Sequence, residues 1–366
     1  MHEPDTPRVK ASTIILGAGV SGLSVALAWL KRGQRVSLLE RGEVGSESSW
    51  AGGGILSPLL PWDYSAAVTA LALRSMAAYA DWVKEIEAQS GQIAEYWRCG
   101  MRVLDADQPE EALAWCEAHG LTAQHGHTNT NDLWLPNIAQ VRNPRLVAAL
   151  REAVVRLGGV IHTHCSIEET TIQAGRVLSM RTNRGTFTAD QFVLATGAWA
   201  GIGLPGLTGA PNVRPIRGQM LLFKLEPGVL DTILYRNGLY LIPRRDGHVL
   251  AGSTVEDAGF DKSTDITTRQ RLHAEAAALL PVLGSVQPIR HWTGLRPGSP
   301  DNIPVIDRHP DFDNVFVNTG HYRYGVTMAP ASAELLVNLM EGRPPVLDPV
   351  PYSWQAALER TWGDTL

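Results

Sequence analysis

Three glycines near the N-terminus, Gly17, Gly19 and Gly22, stand in the spacing G-x-G-x-x-G between an apolar run and a helical pattern. The first permits a tight turn, the second a close backbone approach to a pyrophosphate, and the third close packing of helix on strand. Glu40 follows 18 residues after Gly22, at the end of a second apolar run. A carboxylate there accepts both hydroxyls of an adenosine ribose. The pattern therefore predicts a dinucleotide site, with the phosphates at the helix start.

The number of such fingerprints bears on the kind of dinucleotide. Only one is present in the sequence, whereas a flavoprotein that takes electrons from NAD(P)H usually needs a second nucleotide site. The chain is therefore either an NAD enzyme or a flavoprotein that its own substrate reduces. The first would be colourless when purified and the second yellow.

Two histidine pairs have a spacing that occurs in metal sites. They are His125 with His127, and His162 with His164 beside Cys165. A metal site built by protein side chains needs at least three ligands. Neither pair is accompanied by a third histidine or carboxylate motif, so we predict no metal site.

Composition excludes several classes of protein. The formal net charge is −5, so no basic field favours nucleic acid or an acidic membrane surface. Polar groups interrupt every apolar run before it could span a bilayer. The first ten residues are interpreted as a polar tail without a signal core, and the three scattered cysteines form no disulfide framework. We therefore expect a cytoplasmic enzyme.

A β-α-β unit must position the glycines and Glu40. Apolar and helical patterns predict a strand at 12–16, a helix at 20–30 and a strand at 35–40. Further on, the patterns predict helices at 65–89 and 143–157, strands at 160–164, 175–182 and 191–195, and a hairpin turn at 173–175.

From residue 213 to about 292 the pattern changes to successive strands. These are predicted at 219–224, 239–243 and 248–252, with one helix at 267–280, and indicate a mostly antiparallel sheet in a second domain. A last strand at 315–319 leads through Gly320 into a helix bearing Leu335, Leu336, Leu339 and Met340. The end of the chain is therefore expected to return to the first domain.

Further segments carry a resemblance to a known family. The run GSESSWAGGGILSP at 45–58 resembles the flavin-cradling loop of the D-amino acid oxidase family, and is closest to that of the glycine oxidases of bacterial thiamine biosynthesis. The segments ATGAW at 195–199, GLRP at 294–297 and GHYRYG at 320–325 are similar to later segments of the same family. The matches follow the family order from about residue 12 to residue 340.

The resemblance implies an α/β (α+β) fold. A Rossmann-like FAD-binding domain of the glutathione-reductase type is joined in it to an antiparallel β-sheet substrate-binding domain. We expect the first domain to comprise 1–60, 140–212 and 293–366, and the second 61–139 and 213–292. The relatives also suggest a homo-oligomer, with a tetramer as one form. FAD should be non-covalent, because the C-terminal flavin segment lacks the cysteine that flavinylated sarcosine oxidases use.

An amino acid oxidase must anchor a carboxylate, and a bidentate guanidinium suits that group. Arg296 is the candidate, and its flanks Gly294 and Pro297 are consistent with a sharp bend that exposes its side chain. By resemblance, Tyr240 adds a hydroxyl contact and Arg323 lines the opposite side of the site. The alternatives are a structural arginine and a core tyrosine.

The resemblance also implies which residues contact FAD. They are Gly17, Gly19, Val20, Ser21, Gly22, Glu40, Arg41, Ser48, Ser49, Trp50, Ala51, Gly53, Gly54, Ile55, Ile167, Thr196, Gly197, Trp199, His321, Arg323, Tyr324, Gly325, Val326 and Thr327. Backbone N–H groups at the helix start after Arg323 are expected to face the flavin pyrimidine ring. Relatives often carry Asn where this chain has Tyr324, so its ring either alters the pocket or points away. His321 and Tyr322 are not assigned as acid or base, because hydride transfer from a neutral amine depends on positioning.

The reaction implied by the resemblance is oxidation of glycine by hydride transfer from the α-carbon to flavin N5. Oxygen is then the acceptor, glyoxylate, ammonia and hydrogen peroxide are the products, and the imine intermediate can feed the thiazole branch of thiamine biosynthesis. Other substrates remain open: sarcosine, a small D-amino acid, proline or a modified β-amino acid. A dehydrogenase that reduces a quinone or a protein, and a flavoprotein without turnover, are further alternatives.

Overall fold

The computed structural model describes residues 8–126 and 129–363, which form a mixed α/β fold. Its strands are β1 (Arg8–Leu16), β2 (Val36–Leu39), β3 (Trp97–Arg98), β4 (Met101–Val103), β5 (Gln124–His125), β6 (Leu133–Leu135), β7 (Ala139–Gln140), β8 (Val160–His162), β9 (Ile167–Gln173), β10 (Arg176–Thr182), β11 (Gly185–Leu194), β12 (Arg214–Lys224), β13 (Ile233–Arg236), β14 (Leu239–Pro243), β15 (His248–Gly252), β16 (Arg290–Gly298), β17 (Val305–Arg308) and β18 (Val315–Thr319). Its α-helices are α1 (Val20–Leu30), α2 (Ser48–Ala51), α3 (Ala66–Ser90), α4 (Pro109–Ala118), α5 (Asn143–Arg156), α6 (Ile266–Leu279), α7 (Gly325–Glu341) and α8 (Trp354–Glu359).

The first sheet supplies the parallel half of the fold. Its strand order is β17-β18-β11-β1-β2-β8, with the β9–β10 hairpin attached to β11. All neighbours from β8 to β18 along this path are parallel. Ile15 of β1 joins the core that contains α1 and α7, whereas its neighbour Ile14 packs with Met180 of β10. Both faces are therefore covered, which explains the uninterrupted apolar runs of these strands.

The second sheet has the order β16-β12-β15-β14-β13-β4-β6-β5. Its strands are antiparallel to their neighbours except for the β13–β4 pair. Successive side chains of β14 point to opposite faces. Leu241 packs on the side of α6, and Tyr240 and Ile242 pack on the other side. The predicted fold class, with its mostly antiparallel second sheet, is confirmed.

Several predicted elements differ from those in the structure, among them β11 and β12, which begin at Gly185 and Arg214, earlier than predicted. Strand β1 begins at Arg8, so residues 8–10 do not belong to a polar tail, while residues 1–7 lie outside the described part. The strand predicted at 160–164 ends at His162. The predicted hairpin turn at 173–175 is confirmed, but the strand that precedes it is β9, which was not predicted. The central residues of the turn, Ala174 and Gly175, have φ angles of 48° and 72°.

Strand β16 was also missed, and it changes the setting of Arg296. Arg296 pairs with Ile216 of β12 inside a continuous ladder from Arg290 to Gly298, so the predicted sharp bend is wrong. Strand β16 lies at the end of its sheet, where Pro297 is tolerated because an edge strand need not donate every ladder hydrogen bond.

Membrane and metal features were searched within 8–126 and 129–363. No helix in these ranges is long and apolar enough to cross a membrane. No group of His, Cys, Asp or Glu in them is arranged to hold a metal ion, and His127 of the first histidine pair lies outside them. Cys99, Cys116 and Cys165 are free thiols.

Candidate active site

A cavity of about 410 Å³ lies where the carboxyl ends of β1, β2 and β11 meet the second sheet. Leu16 and Leu39 line it at the ends of β1 and β2, and Tyr240 and Arg296 line it from β14 and β16. The carboxyl edge of a parallel sheet is where doubly wound folds bind their ligands. The geometry therefore places one cavity across both sheets.

The glycine turn forms one wall of this cavity. Gly17 has a φ angle of 101°, and a Cβ on Gly22 would lie 2.0 Å from the Gly17 carbonyl oxygen. Neither position accepts a side chain without a shift of the backbone. Helix α1 begins at Val20, whose N–H donates to Ser49 Oγ at 2.9 Å. The other N–H groups of the first turn have no partner within the helix, so this end suits an anion.

The carboxylate of Glu40 lies beside the turn. Its Oε2 accepts the N–H of Ala18 at 2.9 Å, and its Oε1 accepts the N–H of Gly42 at 2.8 Å. Each carboxylate oxygen can accept a further hydrogen bond. Since Glu40 also lines the cavity, the carboxylate is held in place with acceptor capacity left for ligand hydroxyls.

Asn143, at the start of α5, brings an unsatisfied polar atom to the cavity wall. Its Nδ2 donates to the carbonyl oxygen of Ser49 at 3.1 Å. Its Oδ1 is buried and has no hydrogen-bond partner among the described residues. A buried acceptor without a donor is costly, so a donor from a bound ligand would relieve it. No motif or spacing pattern points to this residue.

An aromatic stack crosses between the two halves of the fold. The Arg41 guanidinium lies 3.6 Å from the centroid of the Trp199 ring. Trp199 in turn stacks on Phe260, with 5.3 Å between ring centroids. Arg41 and Trp199 line the cavity, and Phe260 lies in the segment between β15 and α6. The segment between β15 and α6 thus packs on the part of the cavity wall that Arg41 and Trp199 form.

Arg296 is held only by neutral partners. Its Nη1 donates to the carbonyl oxygens of Thr254 at 3.1 Å and Arg217 at 3.3 Å, and its Nη2 donates to Ser253 Oγ at 2.6 Å. A Cβ on Gly218 would lie 2.3 Å from the guanidinium nitrogens, so only glycine lets the group lie flat on β12. Within the described ranges, no carboxylate pairs with this cation.

Two tyrosines surround this guanidinium. Burial lowers the pKa of Arg296, whereas the nearby Tyr240 and Tyr322 side chains favour its charged form. The Tyr240 hydroxyl contacts Met220 Sδ at 4.0 Å. Tyr322 has a φ angle of 46°, and its buried hydroxyl has no hydrogen-bond partner in the described part of the chain. Both rings line the cavity, so hydroxyl donors accompany the cation.

Arg323 lines the same cavity and is surrounded by aromatic rings. Its Cζ lies 5.4 Å from the centroid of the Tyr322 ring. Burial alone would lower the pKa of Arg323, but neighbouring tyrosines including Tyr324 and Tyr64 more than offset that effect and raise it. The Tyr324 hydroxyl bonds to that of Tyr64, and their rings meet edge-on at 5.1 Å. Tyr324 lines the cavity, so its ring forms part of the pocket wall and does not point away.

The start of α7 closes the cavity. Gly325 and Val326 line it, at the helix end whose free N–H groups carry partial positive charge. His321 is buried with Nε2 paired to Ser332 Oγ at 3.0 Å, and burial lowers its pKa to about 4. It is therefore neutral at neutral pH. Thr327 does not line the cavity. Its Oγ1 donates to the Ile55 carbonyl oxygen at 3.0 Å, which connects α7 with the glycine-rich loop at 52–54.

The predicted site residues gather at this cavity with few exceptions. All of them line it except Gly22, Trp50 and Thr327. Gly22 acts through packing, and Trp50 meets Trp292 edge-on at 5.9 Å while remaining 38% exposed. Their roles toward a ligand stay predictions, as do those of the lining residues.

Sequence reasoning missed several other lining residues. They include Asn143, Gly218, Met220 and Ser253. A glycine inside a strand pattern marks a close approach of another group, so Gly218 could have been found in that way. Ser253 and Asn143 had no such signal, because their partners lie far away along the chain.

The residues at the parallel-sheet edge fit FAD. Gly17 and Gly22 allow the tight turn that leads into the start of α1, where an anion such as a pyrophosphate is favoured. Glu40 has acceptors for ribose hydroxyls, and Asn143 offers an unsatisfied acceptor. Residues 12–339 match the DAO family model, described as FAD dependent oxidoreductase. The chain therefore belongs to the DAO family of FAD-dependent oxidoreductases, with FAD as its cofactor. The predicted family and cofactor are confirmed, and the NAD enzyme left open above is wrong.

Individual relatives narrow the comparison from the family to particular enzymes. The chain is 42% identical over 354 residues to glycine oxidase from Pseudomonas aeruginosa, covering 93% of this chain and 97% of that protein. It is 31% identical to the bifunctional protein ThiO/ThiG of Trichormus variabilis, covering 89% of this chain and 52% of that protein. The crystal structure of glycine oxidase from Geobacillus kaustophilus superposes with a TM-score of 0.86 at 25% identity, covering 94% and 98% of the two chains.

Proposed function

We propose that this protein oxidises glycine to its imine in an FAD-dependent reaction. The observation that carries the proposal is the partly buried Arg296 guanidinium, whose hydrogen-bond partners are all neutral. A cation that is partly removed from water and has no anion beside it is costly, so a substrate carboxylate supplies the missing charge. The guanidinium offers it two parallel hydrogen bonds. Similarity to glycine oxidases supports glycine as the amine.

The chain's own residues orient and enclose the substrate. The Tyr240 hydroxyl adds a donor to the carboxylate, and Arg323 bounds the site from the side of α7. The chemistry that bound FAD supplies is acceptance of a hydride from the α-carbon. His321 is committed to Ser332, so the amine is expected to enter in its neutral form and positioning to dominate the rate.

The complete proposed reaction converts glycine, oxygen and water into glyoxylate, ammonia and hydrogen peroxide. We propose the thiazole branch of thiamine biosynthesis as its setting, with support from the similarity to the ThiO/ThiG protein. The free thiols support a reducing compartment such as the cytoplasm.

The proposal also includes the predicted domain limits. It further includes assembly into a homo-oligomer, of which a tetramer is one form. Partial digestion tests the limits and sedimentation tests the assembly.

A second candidate keeps the reaction and changes the amine. Tyr324 narrows the cavity wall where relatives often carry Asn, and its hydroxyl is paired to Tyr64. This favours comparison with sarcosine, D-alanine and D-proline, whose extra groups must fit beside that ring. The amine with the highest kcat/KM identifies the substrate.

An anaerobic titration tests the proposal directly. The purified yellow protein is mixed with one equivalent of glycine per flavin, and flavin absorbance should bleach without added reductant. Admission of air should restore the colour and release one peroxide per flavin. Absence of bleaching with glycine and with all three other amines would rule out the proposed amine oxidation, while bleaching without peroxide would indicate a dehydrogenase.

A further inference from the structure

A second buried arginine lies behind the cavity wall. Arg244 follows Pro243 at the end of β14, four residues after Tyr240, and is 6% exposed. Its Nη2 donates to the Gly53 carbonyl oxygen at 2.8 Å, and its Nη1 donates to the Val141 carbonyl oxygen at 2.9 Å. The same Nη1 also donates to the side-chain oxygen of Gln140. One guanidinium thus ties the glycine-rich loop to the second sheet.

The loop at 52–54 that Arg244 contacts is closely packed against its neighbours. A Cβ on Gly53 would lie 2.4 Å from Ile242 Cδ1, so the Gly53 backbone lies directly on β14. The carbonyl oxygen of Gly54 accepts the N–H of Val141 at 2.9 Å. Arg244 therefore fixes the loop against the strand that carries Tyr240, and any shift of this arginine would move the cavity wall.

The charge of Arg244 is not neutralised by direct contact with a carboxylate in the described part of the chain. The nearby carboxylates form ion pairs with the neighbouring Arg142 instead. Its Nη1 lies 2.8 Å from Asp246 Oδ2 and 3.2 Å from Glu95 Oε2. Burial and then Arg142 lower the pKa of Arg244 to about 10. At neutral pH the group remains a cation whose contacts are all peptide or amide oxygens.

The Gly53–Gly54 peptide connects Arg244 with the wall of the cavity. The Gly53 carbonyl points to Arg244. In a trans peptide the next N–H points the opposite way, so the Gly54 N–H is directed away from Arg244. Gly53 and Gly54 both line the cavity. A cation bonded to the carbonyl polarises the peptide and strengthens that N–H as a donor.

We propose that Arg244 is a positioning residue for FAD, which fixes the Gly52–Gly54 loop and raises the reduction potential of the bound flavin. Reduction adds negative charge to the cofactor. A buried cation bonded to a loop that lines the cavity stabilises that charge more strongly than it would in water. This inference rests on the family's cofactor and not on the identity of the amine, so it can fail while the proposed function stands.

The test compares four variants with the wild-type holoenzyme. Arg244→Met removes the charge and the donors, Arg244→Gln keeps one donor without charge, and Arg244→Lys keeps the charge. Arg245→Met is the matched control, because Arg245 is the exposed next residue. The readouts are the reduction potential of the bound flavin, measured against a redox dye, and the dissociation constant for FAD. Neither requires turnover of an amine.

We expect Arg244→Met and Arg244→Gln to lower the potential and to weaken FAD binding at least tenfold. Arg244→Lys should stay closer to the wild-type potential, and Arg245→Met should match the wild type in both readouts. If Arg244→Met does not fold, Arg244→Gln decides the question. An unchanged potential in the neutral variants would overturn the proposal and leave Arg244 a purely structural residue. An equal drop in Arg245→Met or in Arg244→Lys would overturn it as well.

Discussion

At the scale of single residues, the cavity holds two cations, Arg296 and Arg323, that have no carboxylate partner among the described residues. Their neighbours are carbonyl oxygens, hydroxyls and tyrosine rings. Such neutral neighbours hold a guanidinium in place without neutralising its charge. An anionic ligand can therefore form an ion pair with it. We expect binding of an anion to depend on the absence of carboxylates beside these two arginines as much as on the arginines themselves.

Removal of the Arg296 cation tests the carboxylate anchor. Arg296→Met loses two charge-assisted hydrogen bonds, a cost of about 3 kcal/mol in transition-state binding. We expect kcat/KM for glycine to fall roughly a hundredfold, with FAD content unchanged. Steady-state kinetics measure the loss. Arg290→Met, an exposed change on the same strand, should have no effect, and an active Arg296→Met enzyme would contradict the anchor role.

The buried His321 predicts a pH dependence of stability. Burial lowers its pKa from 6.5 to about 4 in the folded protein, so the unfolded state binds the extra proton between these values. The folded state is therefore destabilised by up to about 3 kcal/mol as the pH falls from 6.5 to 4. His321→Gln should lose this part of the pH dependence.

Urea unfolding with saturating FAD measures that difference. The free-energy gap between wild type and His321→Gln should widen as the pH rises from 4 to 6.5. His119→Gln, at an exposed position, serves as the control and should run parallel to the wild type. Parallel curves for both variants would contradict the assignment.

At the scale of elements, the start of α1 and the end of β1 act together. Gly22 lies on α1 and does not line the cavity, yet a Cβ there would lie 2.0 Å from the Gly17 carbonyl oxygen. The helix can approach the strand only because this Cβ is absent. Local spacing was enough to predict this unit, because its glycines, helix and strands follow one another within 40 residues.

Gly22→Ala tests that packing. The added methyl group must push α1 away from the glycine turn, and we expect the purified variant to retain much less FAD although residue 22 does not line the cavity. Gly284→Ala is the control, because Gly284 does not have a positive φ angle and the nearest atom to its Cβ position, Ala277 Cβ, lies at an ordinary contact distance of 3.7 Å. The ratio of flavin to protein absorbance reports the outcome, and full occupancy in Gly22→Ala would speak against the packing role.

At the scale of the whole molecule, one cavity joins the two sheets. Residues at the carboxyl edge of the parallel sheet line one part of it, and β12, β14 and β16 of the second sheet line the other, where Tyr240 and Arg296 lie. The Arg41–Trp199–Phe260 stack and the Arg244 contacts bridge the two halves. Bound FAD is therefore expected to stabilise both halves together.

Thermal unfolding at a series of FAD concentrations checks this expectation. At a hundred times Kd, a ligand that binds only the folded state contributes about 2.7 kcal/mol. We expect a single transition that moves upward as FAD is added, while NAD at the same concentrations has no effect. Two transitions, of which FAD shifts only one, would show that the halves unfold independently.

The amino-acid sequence was sufficient for features that depend on neighbours along the chain. The dinucleotide turn, its acidic strand end and the switch to antiparallel strands follow from spacing and periodicity, because each is formed by a contiguous segment. Folding was needed to reveal contacts between distant segments. Strand β16 pairs with β12 where the sequence suggested a bend, and Arg244 reaches Gly53 across 191 residues. The spacing of residues along the chain does not predict such pairs, since the packing of the two sheets determines which distant residues come into contact.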